Sequence, residues 1–475
     1  MLGSQNRWQE DLFVAGPLSS LIPQDHILKQ VDKVLDLSWL RDEVRDLYDA
    51  YQGRPSIDPE AAVRLMLAGF FQGIVHDRKL MREAQVNLAV RWFAGFRLDE
   101  KLPSHSSLTK IRQRWGQEKF KKIFQKTIQA CLEADLVDGE TVHIDATLIR
   151  ADVSWESLVT EHTEKVMEEN TTEDKEQKRV GRPRKATPKG KKRSKTDPEA
   201  TLTTSCNSYR MEPSYKQHGA VDDKCGVIVD VEITTGETSE GSQLPEQIER
   251  IETNTGSKVK TVTADAGYGH GSNYEYCERN NIDAIIPPQN ENTKVKKIPV
   301  RCFKYDAKNK IVTCPVGKKL TRSCQDRKGW TYRARSKDCN NCLLRSRCVS
   351  QTASARTIRI NHGFETLLRA RRRKRAPDEK FVELYKRHRW RTEGMHGESK
   401  CQHGLRRAAR RGLANVAIQA YLTAAVINLK RLAVFYLHFW GKFYPSDDLH
   451  WLLVRLYLRI LYYFNNCRRN YLLAQ

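Results

Sequence analysis

A chain of 475 residues with a formal charge of +24 is long enough for several packed units, and its field favours a polyanionic partner, nucleic acid first. A hydrophobic share of 39% with 29% charged residues excludes a wholly disordered chain. No apolar run has the length of a secretory signal or a membrane span, and the cysteines do not read as a secreted disulfide scaffold. A cytoplasmic, nucleoid-associated protein with no membrane partner is therefore expected.

Residues 1–135 read as an all-helical, DNA-binding N-terminal domain. Asp58-Pro59-Glu60 is a helix start, with a capping carboxylate, proline at the first position and an acid near the positive end of the dipole. Arg78–Arg91 reads as one further helix. Ser104 or Ser106 then caps a helix through Trp115 whose exposed side is expected to carry Lys110, Arg112 and Arg114. Short helices ending in a basic one resemble a helix-turn-helix reader.

From Thr141 the texture turns to β, and residues 140–288 form the first part of a catalytic core. Val142–Ile149 alternates as a strand with Asp145 inside it. Residues 152–205 are a basic, low-complexity insert expected to be disordered alone. Within it Gly181-Arg182-Pro183 resembles an extended minor-groove arm, with Arg182 against DNA. Tyr215–Asp222 and Gly226–Thr234 read as a hairpin. Val259–Asp265 is a strand ending in a glycine-rich turn, a favoured place for a functional carboxylate.

Residues 289–378 form a second insert with Cys314, Cys339, Cys342 and Cys348. A CxxC pair with two more cysteines in reach has the arithmetic of a structural Zn²⁺ site, which would staple a segment too polar to fold alone. Its basic run Arg369–Arg375 suits a phosphate. Residues 379–435 return to the core. Read as a helix, Tyr385, Arg389, Glu393, His396 and Lys400 share one side. Glu398 falls off that side, and His396 reads as a bystander. Arg406, Arg407, Arg410 and Arg411 suit a DNA backbone. Gly412–Phe435 is a buried helix, and residues 436–475 are a helical segment for packing or self-association.

Asp145, Asp265 and Glu393 are carboxylates on three separate elements. Sharing two Mg²⁺ (or Mn²⁺) ions roughly 4 Å apart, they would clamp the attacking and leaving oxygens of an in-line phosphoryl displacement. Arg389 and Lys400 would hold neighbouring phosphates.

These residues carry a resemblance. Gly53–Glu60 and Asn87–Gly95 resemble a helical N-terminal domain; Val142–Thr147 and Ala264–Tyr268 resemble two catalytic aspartate strands. Arg389-x3-Glu393-x6-Lys400 has the spacing of a Y-R-E-K signature. The chain thereby resembles the DDE transposases of bacterial insertion sequences. Tyr385 stands one residue further from Arg389 than that signature has it. The resemblance implies an RNase H-like mixed sheet flanked by helices, interrupted by the cysteine insert before its last catalytic helix. It implies double-stranded DNA as partner, both transposon ends and target, cleaved and strand-transferred with Mg²⁺ by a homo-oligomer, simplest as a dimer. A nuclease of the same fold and a non-catalytic DNA-binding relative stay open beside it.

Overall fold

The computed structural model describes residues 16–49, 51, 56–160, 192–204, 211–289, 297–326 and 329–441. Arg182, the rest of the basic arm around it, and the segment beyond 441 lie outside the described residues.

Six helices open the described chain: α1 (Ile27–Asp32), α2 (Leu40–Val44), α3 (Pro59–Phe71), α4 (Asp77–Val86), α5 (Leu88–Phe93) and α6 (His105–Glu133). The Asp58 carboxylate accepts from the Glu60 and Ala61 N–H groups at 2.8 and 3.2 Å, which starts α3 where the sequence places it. The single helix expected over Arg78–Arg91 is two. Asn87 has extended backbone and its side chain caps α5 through Ala89 and Val90. Gly116, at φ +65° and ψ 177°, interrupts α6.

The expected basic face of α6 loses one member. Arg112 is buried and grips Asp77 on α4 with two bonds of 2.8 and 2.9 Å, while Lys110 and Arg114 stay exposed. Helical spacing put Arg112 beside those two, but it could not reveal the tertiary carboxylate that draws it inward.

After β1 (Thr141–Arg150), two short strands, β2 (Leu158–Thr160) and β3 (Lys192–Ser194), pair with each other as a separate ribbon, and β1 joins β4 (Thr201–Thr203), β5 (Glu212–Asp222), β6 (Ile228–Thr235), β7 (Thr261–Ala264) and β8 (Asp283–Ile285) in the six-stranded central sheet. Its main order is β6-β5-β1-β7-β8, with β4 beside the start of β5. β1, β5 and β6 are antiparallel neighbours, whereas β7 and β8 run parallel to β1. Parallel pairs need crossovers, and α7 (Leu244–Thr255) and α8 (Gly271–Arg279) supply them. The 152–205 insert is not wholly unstructured: β2 and β3 close its base as a ribbon, and β4 joins the sheet. Its ends have partners that its composition does not announce.

The cysteine insert carries a five-stranded antiparallel sheet of β9 (Lys304–Asp306), β10 (Ile311–Thr313), β11 (Lys319–Asp326), β12 (Gly329–Ala334) and β13 (Thr357–Asn361). Two short helices, α9 (Ser336–Asn340) and α10 (Arg345–Cys348), bear Cys339 and Cys348, and Cys342 lies between them. The expectation that it is too polar for a core of its own is corrected. Phe303, Val312, Leu320, Tyr332, Ile358 and Ile360 form a small separate one. The basic run after it is the last turn of α11 (Phe364–Arg375), where cations meet the negative end of the dipole.

Two long helices finish the described chain, α12 (Glu379–Cys401) and α13 (Leu413–Gly441). α12 packs across β8, β7, β1 and β5, and α13 packs on β6 and α6. α13 has the length and apolarity to cross a membrane, yet two thirds of its apolar window is buried in the molecule. Asn428, fully buried on it, bonds the Ile228 N–H (2.8 Å), the Ile228 carbonyl (2.9 Å) and Thr127 on α6 (3.3 Å). That satisfied amide locks α13, α6 and the sheet into one core.

Candidate active site

The register of the sheet sets the two aspartates side by side. Ile144 on β1 pairs with Ala264 on β7, so Asp145 and Asp265 follow on adjacent parallel strands. Asp145 Oδ1 accepts from the Ala146 N–H at 2.8 Å, and Asp265 Oδ1 accepts from the Gly267 N–H at 2.7 Å. Each carboxylate therefore keeps its Oδ2 free of backbone. Both line an open cavity of about 720 Å³ together with Glu240, Lys216, Lys400 and Arg406.

α12 crosses this sheet end with Phe381, His388, Thr392, Met395 and Ser399 facing inward, the three-and-four spacing of a buried stripe. Of the neighbouring stripe, Lys400 lines the cavity. Lys400 Nζ donates to Thr147 Oγ1 at 2.5 Å. His396 Nε2 stands 3.4 Å from Asp145 Oδ2, within ion-pair range though not aligned as a hydrogen bond. Tyr385 stacks between Phe381 and His388, with centroids 6.0 and 5.9 Å away. Its hydroxyl senses the charges of Asp265 and Asp145, so its one-residue displacement along the chain keeps it beside the acids.

Glu393 stands apart. Its side chain is 69% exposed and pairs with Arg389 at 3.4 Å, and it is absent from the cavity lining. Among the described residues, no three acidic, histidine or cysteine side chains are arranged as they stand to hold a metal. The structure thus joins Asp145 to Asp265 and leaves Glu393 one helical turn from His396, on the rim. An exposed pair four residues apart on a helix is worth only about 0.3–0.5 kcal/mol, so little holds Glu393 there. Glu398 is the opposite case: it is largely buried, bonded to Lys430 (2.7 Å) and Arg431 (2.9 Å), with His403 at 3.7 Å. Two cations and an imidazole surround it.

Electrostatics separates the two aspartates. Burial works to raise the Asp145 carboxyl, but His396 and the Ala146 N–H outweigh it and hold the group below its ordinary value. Burial, then the charge of Asp145, then that of Glu240 push Asp265 above its own. Carboxylates crowded this way repel until a cation enters between them. Below them a buried chain of contacts runs from Asp223 through His143 (2.9 Å) and Thr263 (2.6 Å) to His388 (3.0 Å). It fixes α12 against β7, and burial pushes His388 down to about 4, so its imidazole is neutral.

The arginines after α12 divide. Residues 406–408 run beside the end of β1, with Ala408 N–H donating to the Arg150 carbonyl at 2.8 Å. This sets Arg406 on the cavity and Arg407, exposed, 3.3 Å from Asp152. Arg410 and Arg411, expected on a DNA backbone, are engaged elsewhere: Arg410 pairs with Asp77 at 2.7 Å and Arg411 donates to the Asp152 carbonyl at 3.0 Å. In the run before α12, Arg369 meets Glu278 at 2.6 Å, and Arg373 meets Asp283 at 2.5 Å and Asp378 at 3.1 Å.

In the insert, Cys314, Cys339, Cys342 and Cys348 all line one cavity of about 30 Å³. The Lys318 N–H lies 3.3 Å from Cys314 Sγ. Burial raises the Cys348 thiol, and Cys339, Cys342 and Cys314 push it the same way. Cys302 and Cys324 are exposed.

Sequence reasoning missed Glu240, Lys216 and Tyr268, and it passed over His396. Glu240 sits just past β6, in a short turn whose closeness to Asp265 depends on how the sheet closes. Tyr268 follows the strand-end Asp265 by three residues, and that spacing carries no sign of its burial beside the acids.

Two family models match parts of the chain. Residues 17–114 match a family described as a transposase domain (DUF772), and residues 313–433 match the transposase DDE domain. The second match spans Glu393 and Lys400. No curated protein matches. Among solved structures, the piggyBac transposase synaptic complex with hairpin DNA is similar at 11% identity. That match covers 90% of this chain and 83% of that one, with a TM-score of 0.31. The Mos1 transposase paired-end complex with left transposon end is similar at 11% identity over 52% of this chain and 65% of that one, with a TM-score of 0.16. With transposase-family matches before and after the two aspartate strands in sequence, the chain carries the domains of a DDE transposase of insertion-sequence type, a metal-dependent enzyme that acts on DNA.

Proposed function

We propose that Asp145, Asp265 and Glu393 are the catalytic acids of this transposase, cutting DNA at the ends of an element and joining the cut strand to a target. The observation that carries the reading is the pair Asp145–Asp265 at one sheet end, open to a cavity rimmed by Lys216, Lys400 and Arg406. Oxygen-only donors suit Mg²⁺ or Mn²⁺. The fit is further supported by the buried Tyr268 hydroxyl, which has no protein partner beside the acids. Two such ions would supply Lewis-acid stabilisation of charge at phosphorus.

The chain's own residues do the rest. Asp145 and Asp265 hold the charge that binds the ions, and Glu393 turns in from the rim once a phosphate competes for Arg389. Lys400, Arg406 and Arg407 grip the neighbouring phosphates, Arg182 extends the grip along the minor groove, and Tyr385 packs at the site's edge. His396 keeps Asp145 ionised and oriented. Bringing two element ends together calls for two copies of the chain, a dimer on DNA.

Cys314, Cys339, Cys342 and Cys348 are read as a structural Zn²⁺ site, on the ground that four thiols share one small, mostly apolar cavity.

The test uses oligonucleotides carrying the element ends, intact or with a pre-cut 3′-OH. Wild-type protein with Mg²⁺ is expected to nick the first and join the second to target. Asp265→Asn should bind both and do neither, at least about 10³-fold slower. Nicking without joining would favour a nuclease. Equal inertness of wild type and Asp265→Asn would remove the enzyme reading from this chain.

A further inference from the structure

The acidic cavity holds a third carboxylate that neither motif nor helix stripe supplies. Glu240 opens the short turn between β6 and α7 and lines the same wall as Asp145 and Asp265. Its Oε1 is 3.1 Å from Lys216 Nζ, and Lys216 is itself anchored on the Thr238 carbonyl at 2.9 Å. Its Oε2 points the other way. A Cβ placed on Gly267 would lie 2.8 Å from both Glu240 Oε2 and Asp265 Oδ1. The two carboxylates therefore face each other across that glycine, with no side chain between them.

A second observation points to a ligand there. Tyr268 is fully buried, and its hydroxyl has no hydrogen-bond partner. After burial, the charges of Asp145, Glu240 and Asp265 each disfavour its phenolate, so the hydroxyl lies within electrostatic reach of all three acids. Leaving a buried hydroxyl unpaired costs about 1–3 kcal/mol, a cost removed when a ligand fills the gap. A structural role for Glu240 as the counter-ion of Lys216 accounts for Oε1 alone. It accounts neither for Oε2 over Gly267 nor for the orphaned hydroxyl.

We propose that Glu240 is a further metal-binding acid of this site, holding one divalent cation with Asp145 and Asp265 before Glu393 is recruited. The inference rests on the metal-dependent reading above. It makes the resting site a three-carboxylate cup on the sheet, with the α12 acid arriving as a fourth. Gly267 is required there, because any side chain would occupy the space between the acids.

The test is Mn²⁺ binding to the full-length chain without DNA, read as free Mn²⁺ by electron paramagnetic resonance. Glu240→Gln should weaken binding at least about tenfold, while Glu393→Gln leaves the first ion at wild-type affinity. Glu240→Asp keeps the charge facing Lys216 but withdraws the carboxylate by one methylene. It should lose affinity too, and it serves if Glu240→Gln folds poorly by circular dichroism. Lys216→Gln separates the structural role: it should leave affinity unchanged or raise it, whereas a loss equal to that of Glu240→Gln would make Glu240 a mere counter-ion. Wild-type affinity in both Glu240 variants, with Asp265→Asn unable to bind, would overturn the proposal and leave the Asp145–Asp265 reading intact. Wild-type affinity in Asp265→Asn would count against that reading itself.

Discussion

Two side-chain clusters, one of carboxylates and one of thiols, both proposed to bind metal, are built in opposite ways. The carboxylates Asp145, Asp265 and Glu240 sit at a sheet end, on an open cavity of about 720 Å³ bordered by cations. The thiols of the insert enclose about 30 Å³ among Phe303, Leu320 and Val349. A site that must admit and release a phosphodiester stays open, keeps uncommitted oxygens and tolerates repulsion. A site that only holds a fold together closes on soft ligands. The same contrast recurs along α12, where Glu398 is gripped by Lys430 and Arg431 beside His403, and Glu393 by one exposed arginine.

The comparison can be broken most forcefully at the thiols. Replacing Cys339 and Cys342 together by Ser should abolish stoichiometric zinc, measured by inductively coupled plasma mass spectrometry. It should also open the insert to limited proteolysis, since structural zinc contributes on the order of 10 kcal/mol to small folds. Undiminished protease resistance with no zinc in either protein would make the four cysteines ordinary core thiols.

Next in size is the pair on α12. Glu398→Ala strands Lys430, Arg431 and His403 without their acid and should cost about 3 kcal/mol in urea unfolding. Glu393→Ala should stay within about 0.5 kcal/mol of wild type while losing DNA cleavage. Equal destabilisation by both would erase the distinction between them.

The acid cluster makes a smaller prediction, with a definite sign. The Asp265 carboxyl is raised in the fold by burial and by Asp145, so the folded state binds its proton more tightly than the unfolded chain does. Stability from this group is present below the ordinary aspartate value near 4 and is lost as pH rises through the raised one. Without metal, Asp265→Asn should therefore melt higher than wild type at pH 7 and equal it below about pH 4. Mg²⁺ should then stabilise wild type and not the variant. A lower melting temperature for Asp265→Asn at pH 7 would show that the site stores no repulsion.

Much of this was legible in the residues. Val142–Ile149 reads as a strand because β-branched and apolar residues alternate around Asp145, and Asp265 reads as functional because a strand stops there against glycines. The stripe Tyr385–Lys400 follows from helical spacing alone. What spacing could not supply was tertiary. Arg112 looked exposed until Asp77 came to meet it. Asn87 divided a helix by capping the next one. Glu240 looked like one acid among many until three strands and a glycine brought it to Asp265. Glu393 was expected among the aspartates; its rotamer answers to Arg389 while no phosphate is there to take that arginine.

The central claim is that Glu393 leaves Arg389 to join Asp145 and Asp265 when DNA is bound. The most direct measurement is anomalous diffraction from crystals of the chain with Mn²⁺ and an element-end duplex. The account predicts manganese at Asp145 and Asp265 with the Glu393 carboxylate in ligating contact and Arg389 on a phosphate. Manganese at the two aspartates with Glu393 still paired to Arg389 on the rim would contradict it.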